Sequence, residues 1–108
     1  MKLDRGDFRD WLVAGDPEAT AGNTGWCCKC PIANYMVARY GGVMWVKAEG
    51  IGRTYDNTPL DTPEWAQEFI DTIDYRPRED GEEFRTPRDD EPVTFAEALN
   101  TLDGVGND

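Results

Sequence analysis

Phe8, Trp11 and Leu12 recur at the three- and four-residue spacing of one helical face, between Asp4 and Gly15. Asp4 suits the N-cap, Asp7 takes the box position, and Leu3 ahead of the cap faces Phe8 as a hydrophobic staple. Gly15 ends the pattern, and a helix this short needs tertiary packing to persist. Residues 15–26, GDPEATAGNTGW, lose all periodicity and predict a loop. A second helix is predicted from near Pro31, whose fixed φ suits the first helical position, to Gly41 and Gly42. Ile32, Tyr35, Met36, Arg39 and Tyr40 keep helical spacing, and Ala33 and Val37 widen the stripe. Most of this helix's circumference should therefore be covered, with the other elements packed around it.

From Val43 to Tyr55 the sequence turns to residues that favour extended backbone, VMWVKAEGIGRTY, with Gly50 and Gly52 permitting a reversal. A hairpin of 43–48 and 51–55 is predicted, completed by a third strand around Glu83–Thr86 or by helices across one face. Thr62 and Pro63 open a third helix, with Pro63 expected at its first position and Glu64 in its first turn. Trp65, Ala66, Phe69, Ile70 and Ile73 form its apolar face; Gln67, Glu68, Asp71 and Asp74 point elsewhere, and Pro77 ends any continuation. Residues 76–92 are charged and proline-rich, which predicts a mobile surface segment with Phe84 as its one core anchor after Tyr75. A last helix is announced by Thr94 as cap, Glu97 as box partner and Val93 against Ala98 as staple. Phe95, Ala98, Leu99 and Leu102 form its packing face, Gly104 stops it, and 104–108 should fray. The pattern as a whole predicts one α+β domain over residues 1–108, with about four short helices and a small antiparallel hairpin or three-stranded sheet.

Composition tempers this picture. Leu, Ile, Val and Phe supply only 19 of 108 residues beside a net charge of −11, a balance that leans toward disorder. Four Trp, four Tyr and three Met at periodic positions restore a folded reading with a modest core. The charge is lopsided: residues 1–54 hold seven Lys or Arg against six Asp or Glu, whereas 55–108 hold four against sixteen. Such a field repels a phosphate backbone, so direct nucleic-acid binding is not expected, Arg39, Lys47 and Arg53 being the one basic spot the sequence offers. A basic surface on another protein is the expected partner. No apolar run is long enough to cross a bilayer, and MKLDRGDFRDWLV has no signal-peptide pattern, so the expected location is cytoplasmic, away from membranes.

Cys27, Cys28 and Cys30 crowd into four positions, and Cys30 precedes Pro31 at a predicted helix start, where amide N–H groups favour a thiolate. A Zn ion held by this cluster, completed by Asp16, Glu18 or a second copy in a homodimer, or a thiol-redox role, is one functional alternative. Against it stand the absence of His and the awkward adjacency of Cys27 and Cys28; packing as small apolar thiols is the plainer expectation. Without His the usual nucleophile–base pairs cannot form, which leaves Lys29 or a carboxylate as local base. Carboxylate pairs are too abundant to mark a hydrolase, and neither GNTG at 22–25 nor GIG at 50–52 completes a phosphate loop.

These considerations favour a noncatalytic acidic protein-binding or inhibitory module over an enzyme. Its contact residues are expected among Asp71, Asp74, Glu79, Asp80, Glu82 and Glu83, with Tyr40, Trp45 and Tyr55 as aromatic anchors if the hairpin returns beside the second helix. One version places the carboxylates where phosphates would sit on a nucleic-acid-binding protein; the plainer alternative is a solvated face that keeps the chain soluble.

Overall fold

The computed structural model describes residues 2–25, 28–42, 44–47, 50–53, 60–75, 87–88 and 90–105. In chain order they form α1 (Arg5–Ala14), β1 (Thr20–Asn23), α2 (Pro31–Tyr40), β2 (Met44–Lys47), β3 (Gly50–Arg53), α3 (Glu64–Asp74), β4 (Pro92–Thr94) and α4 (Phe95–Gly104). Among the described residues, four helices and two antiparallel two-stranded sheets make this an α+β fold, as the periodicities predict.

Helix starts follow local chemistry. Asp4 Oδ2 accepts from the Asp7 N–H at 3.0 Å, and Thr94 Oγ1 accepts from the Glu97 N–H at 3.0 Å, each satisfying a donor that the first helical turn leaves without a partner. Pro31 opens α2 as expected, whereas Pro63 does not open α3. Its ψ of 153° is extended, so Pro63 is the N-cap, and its carbonyl accepts from Ala66 and Gln67 while Glu64 begins the helix. Gly41, at φ 76°, lies in the region glycine adopts readily and closes α2 with an N–H donated to Val37 O.

The hairpin pairs Met44 with Arg53, Trp45 with Gly52, Val46 with Ile51 and Lys47 with Gly50. Leu60 joins its edge by reciprocal backbone hydrogen bonds with Ile51, both 2.7 Å. The third strand expected around Glu83–Thr86 lies outside the described residues. The second sheet departs from the loop that the sequence predicts over 15–26: Thr20–Asn23 pairs with β4 in the register Thr20 to Thr94, Gly22 to Val93 and Asn23 to Pro92. Gly22 makes this strand feasible. A Cβ there would stand 2.6 Å from Lys29 O and from Pro31 N, so β1 lies directly on the backbone leading into α2.

One buried cluster joins all four helices, with Phe8, Leu12, Ile32, Met36, Phe69, Ile73, Val93 and Leu102 wholly or nearly wholly enclosed. Phe8 is its hub, edge-on to Tyr35 and Phe69 at 5.4 Å and stacked on Trp65 at 5.9 Å. Among the described residues no helix is long and apolar enough to cross a membrane.

Candidate functional site

Helix α3 divides its residues sharply. Trp65, Ala66, Phe69 and Ile73 are buried, which fixes the rotation of the helix and turns Glu64, Glu68 and Asp71 outward. These three stand at i, i+4 and i+7, so they form one ridge along the exposed face. Asp61, just before the helix, is exposed as well. No Lys or Arg occurs between Arg53 and Arg76, so neither α3 nor the residues on either side of it interrupt the acidic run. Asp71, one of the expected contact residues, is thus exposed on this ridge.

Asp74 differs. Its half-buried carboxylate accepts from the Gly25 N–H at 3.3 Å. Burial pushes its pKa up, against the pull of the Gly25 hydrogen bond and the Arg88 charge. Its immediate neighbours belong to the fold. Arg88 donates its backbone N–H to Asp74 O at 2.8 Å and its guanidinium to Glu91 Oε2 at 2.7 Å, Glu97 Oε1 at 2.8 Å and Ile73 O at 3.3 Å. Burial alone would lower the Arg88 pKa, and the hydrogen bonds to the two carboxylates outweigh it, holding the guanidinium above its usual value. Thr24, fully buried, donates its hydroxyl to Arg88 O at 2.8 Å and accepts from the Glu91 N–H at 3.1 Å. Arg88 and Glu91 thus join Thr24 and Glu97 through these hydrogen bonds, and Pro92 pairs with Asn23 in the β1–β4 sheet. Glu79, Asp80, Glu82, Glu83 and Tyr55 lie outside the described residues.

Of the expected aromatic anchors, Tyr40 and Trp45 are among the described residues. The Tyr40 hydroxyl accepts from the Lys2 N–H at 2.9 Å and donates to Lys2 O at 2.8 Å, while Arg39 Nε donates to it at 3.2 Å. Burial would raise the phenol's pKa, and the bonds from Arg39 and Lys2 reverse that and lower it. Trp45 lays its ring over Gly52, where a Cβ would come 2.2 Å from Cζ2, so its six-membered ring covers the β3 backbone of its own hairpin.

Cys28 and Cys30 differ in burial: Cys28 is exposed and Cys30 buried. Cys30 Sγ caps α2 by accepting from the Ala33 N–H at 3.4 Å, the position foreseen for it at a helix start. Cys27 lies outside the described residues. Among the described residues no three His, Cys, Asp or Glu side chains gather as metal ligands.

One feature went unread in the sequence. Between α1 and α4 an open groove of about 280 Å³ is lined by Leu12, Val13, Pro17, Phe95 and Leu99, with Asn100 and Asp103 on its lip. Phe95 reaches it because Gly15 has no side chain, and the ring rests 4.9 Å from Trp11. The available signal was Val13, which stands off the Phe8–Trp11–Leu12 face and is 55% exposed.

Fold and site together define a small α+β domain with an acidic helical ridge and a separate apolar groove. No protein-family model, curated protein or solved structure matches this chain.

Proposed function

We propose that the chain is a noncatalytic acidic module that binds a basic surface on a partner protein, with the exposed ridge of α3 as its contact. The observation that carries this reading is the disposition of Glu64, Glu68 and Asp71 along one face of a helix whose opposite face is locked into the core. A ridge fixed in this way presents its charge at a constant spacing and loses little conformational freedom on binding, apart from the side chains themselves. Its field steers encounter and selects against acidic partners more than it sets the lifetime of the complex.

The test replaces Glu64→Gln, Glu68→Gln and Asp71→Asn together and places a photo-crosslinking residue at exposed Thr72 on α3 or, as control, at exposed Ala38 on α2. The reading expects a protein with a basic surface to be captured from Thr72 and not from Ala38. It also expects the triple variant to associate with that protein more slowly and with weaker dependence on salt. Equal capture from both positions, or an unchanged association rate, would remove the reading.

A further inference from the structure

We infer that the groove between α1 and α4 is a second recognition site, which takes one large aliphatic or aromatic side chain from a lysine- or arginine-flanked segment of a partner protein. The volume sets the class of occupant. At about 280 Å³ the groove falls just below the range of small-molecule and cofactor pockets, which suits a single side chain better than a substrate. Its wall is apolar, formed by Leu12, Val13, Phe95 and Leu99, and Val13 is exposed to more than half its surface at the rim. An apolar patch of this kind, bordered by polar groups, is the usual form of an anchor pocket at a protein interface.

Charge around the rim selects what flanks the anchor. Asp103 lines the groove, and exposed Asp16 sits in the chain between the lining residues Gly15 and Pro17. Arg9 is the nearby cation, and it is bound to Asp103 at 2.9 Å. Arg5, the other α1 cation, is directed to the end of α4, where it donates to Leu102 O and Val105 O. Helix α4 contains no Lys or Arg. The rim is therefore net negative, and with a chain charge of −11 it disfavours a second copy of this acidic protein as the occupant. The inference rests in part on the proposed preference for basic partners but uses a different surface, so the two can fail separately.

The experiment follows backbone amide signals of the full chain by NMR while a peptide is added. The probe is the capped peptide Lys-Lys-Ala-Leu-Ala-Lys-Lys, with one control carrying Ala for Leu and another carrying Glu for every Lys. The expected result is that the leucine peptide moves the signals of Val13, Ala96, Leu99 and Asn100, that the alanine control binds about ten- to a hundredfold more weakly, and that the glutamate control leaves them unmoved. Ala96→Phe, which fills the groove from an exposed position, and Val13→Ser, which removes its apolar lip, should each weaken the leucine peptide while the thermal unfolding midpoint stays close to that of the parent. Equal binding of the leucine and alanine peptides, or movement confined to α3, overturns the groove site and leaves electrostatic recognition by the ridge standing. Groove signals that respond to the leucine peptide and survive the α3 triple replacement uphold the groove whatever becomes of the ridge.

Discussion

The ring of Phe95 occupies the space in which a side chain on Gly15 would begin: a Cβ built there would stand 2.3 Å from Phe95 Cδ1 and 2.7 Å from Cγ. Because Cγ is the root of the ring, rotation about the outer bond cannot clear the clash. Gly15 has φ −79°, a value any residue adopts, so the demand for glycine is purely steric. Gly15→Ala should destabilise the fold by about 1–3 kcal/mol in urea unfolding. The same replacement in a Phe95→Ala background should be nearly neutral, and that coupling separates this clash from a general effect on α1.

Thr24 offers a sharper contrast between two substitutions. Its hydroxyl serves as donor to Arg88 O and acceptor for Glu91 N–H inside a fully buried site. Thr24→Val keeps the shape and strips both partners, and a cost of about 2–3 kcal/mol is expected. Thr24→Ser keeps the hydroxyl and should retain most of the stability. Equal losses for the two variants would mean that the methyl group, not the hydroxyl, holds the site.

Arg88 joins the end of α3 to the start of α4 through two carboxylates and a carbonyl. Lysine preserves the charge and cannot present a planar fork to Glu91 and Glu97 at once. Arg88→Lys should therefore lower stability by about 1–2 kcal/mol. It should also speed hydrogen exchange at the Glu91 and Thr24 amides, which pair with the segment Arg88 anchors, before exchange rises in α2.

How far the sequence reveals this architecture depends on the range of the interaction. Asp4, Thr94, Pro31 and Gly41 act within a turn of themselves, and the helix limits they mark are those observed. The hairpin was legible for the same reason, its strands being separated by a short reversal. Strand β1 was not, because TAGN has weak extended preference and its partner β4 lies about seventy residues away; Gly22 is explained only by the backbone at Lys29–Pro31 pressed against it. Glu97 illustrates the same limit. Its amide takes the predicted cap bond to Thr94, while its carboxylate goes to Arg88, nine residues earlier. The α3 ridge could be read from periodicity, whereas the α1–α4 groove could not, since it depends on how two distant helices meet.

Asp74 gives a prediction whose sign is set by its surroundings. Burial is the largest influence on its carboxyl and raises the folded-state pKa; the Gly25 N–H and Arg88 oppose it, and Asp71 adds to it. A raised folded value means that folding favours the protonated acid. The associated stability is fully present below the pKa of the unfolded chain, about 3.9 for a free aspartate, and is lost as pH rises through the higher folded value. At neutral pH the ionised carboxylate therefore opposes folding. Asp74→Asn keeps an oxygen to accept from Gly25 and removes the charge, so the variant should be more stable than the parent at pH 7. Its advantage should shrink steadily as the solution is acidified and the parent's own carboxyl takes up its proton. Urea unfolding of both proteins across the acid range measures that difference directly. A variant less stable than the parent at pH 7, recovering equality in acid, would show instead that the attraction of Arg88 and the Gly25 hydrogen bond outweigh burial, and that Asp74 is held as a stabilising carboxylate.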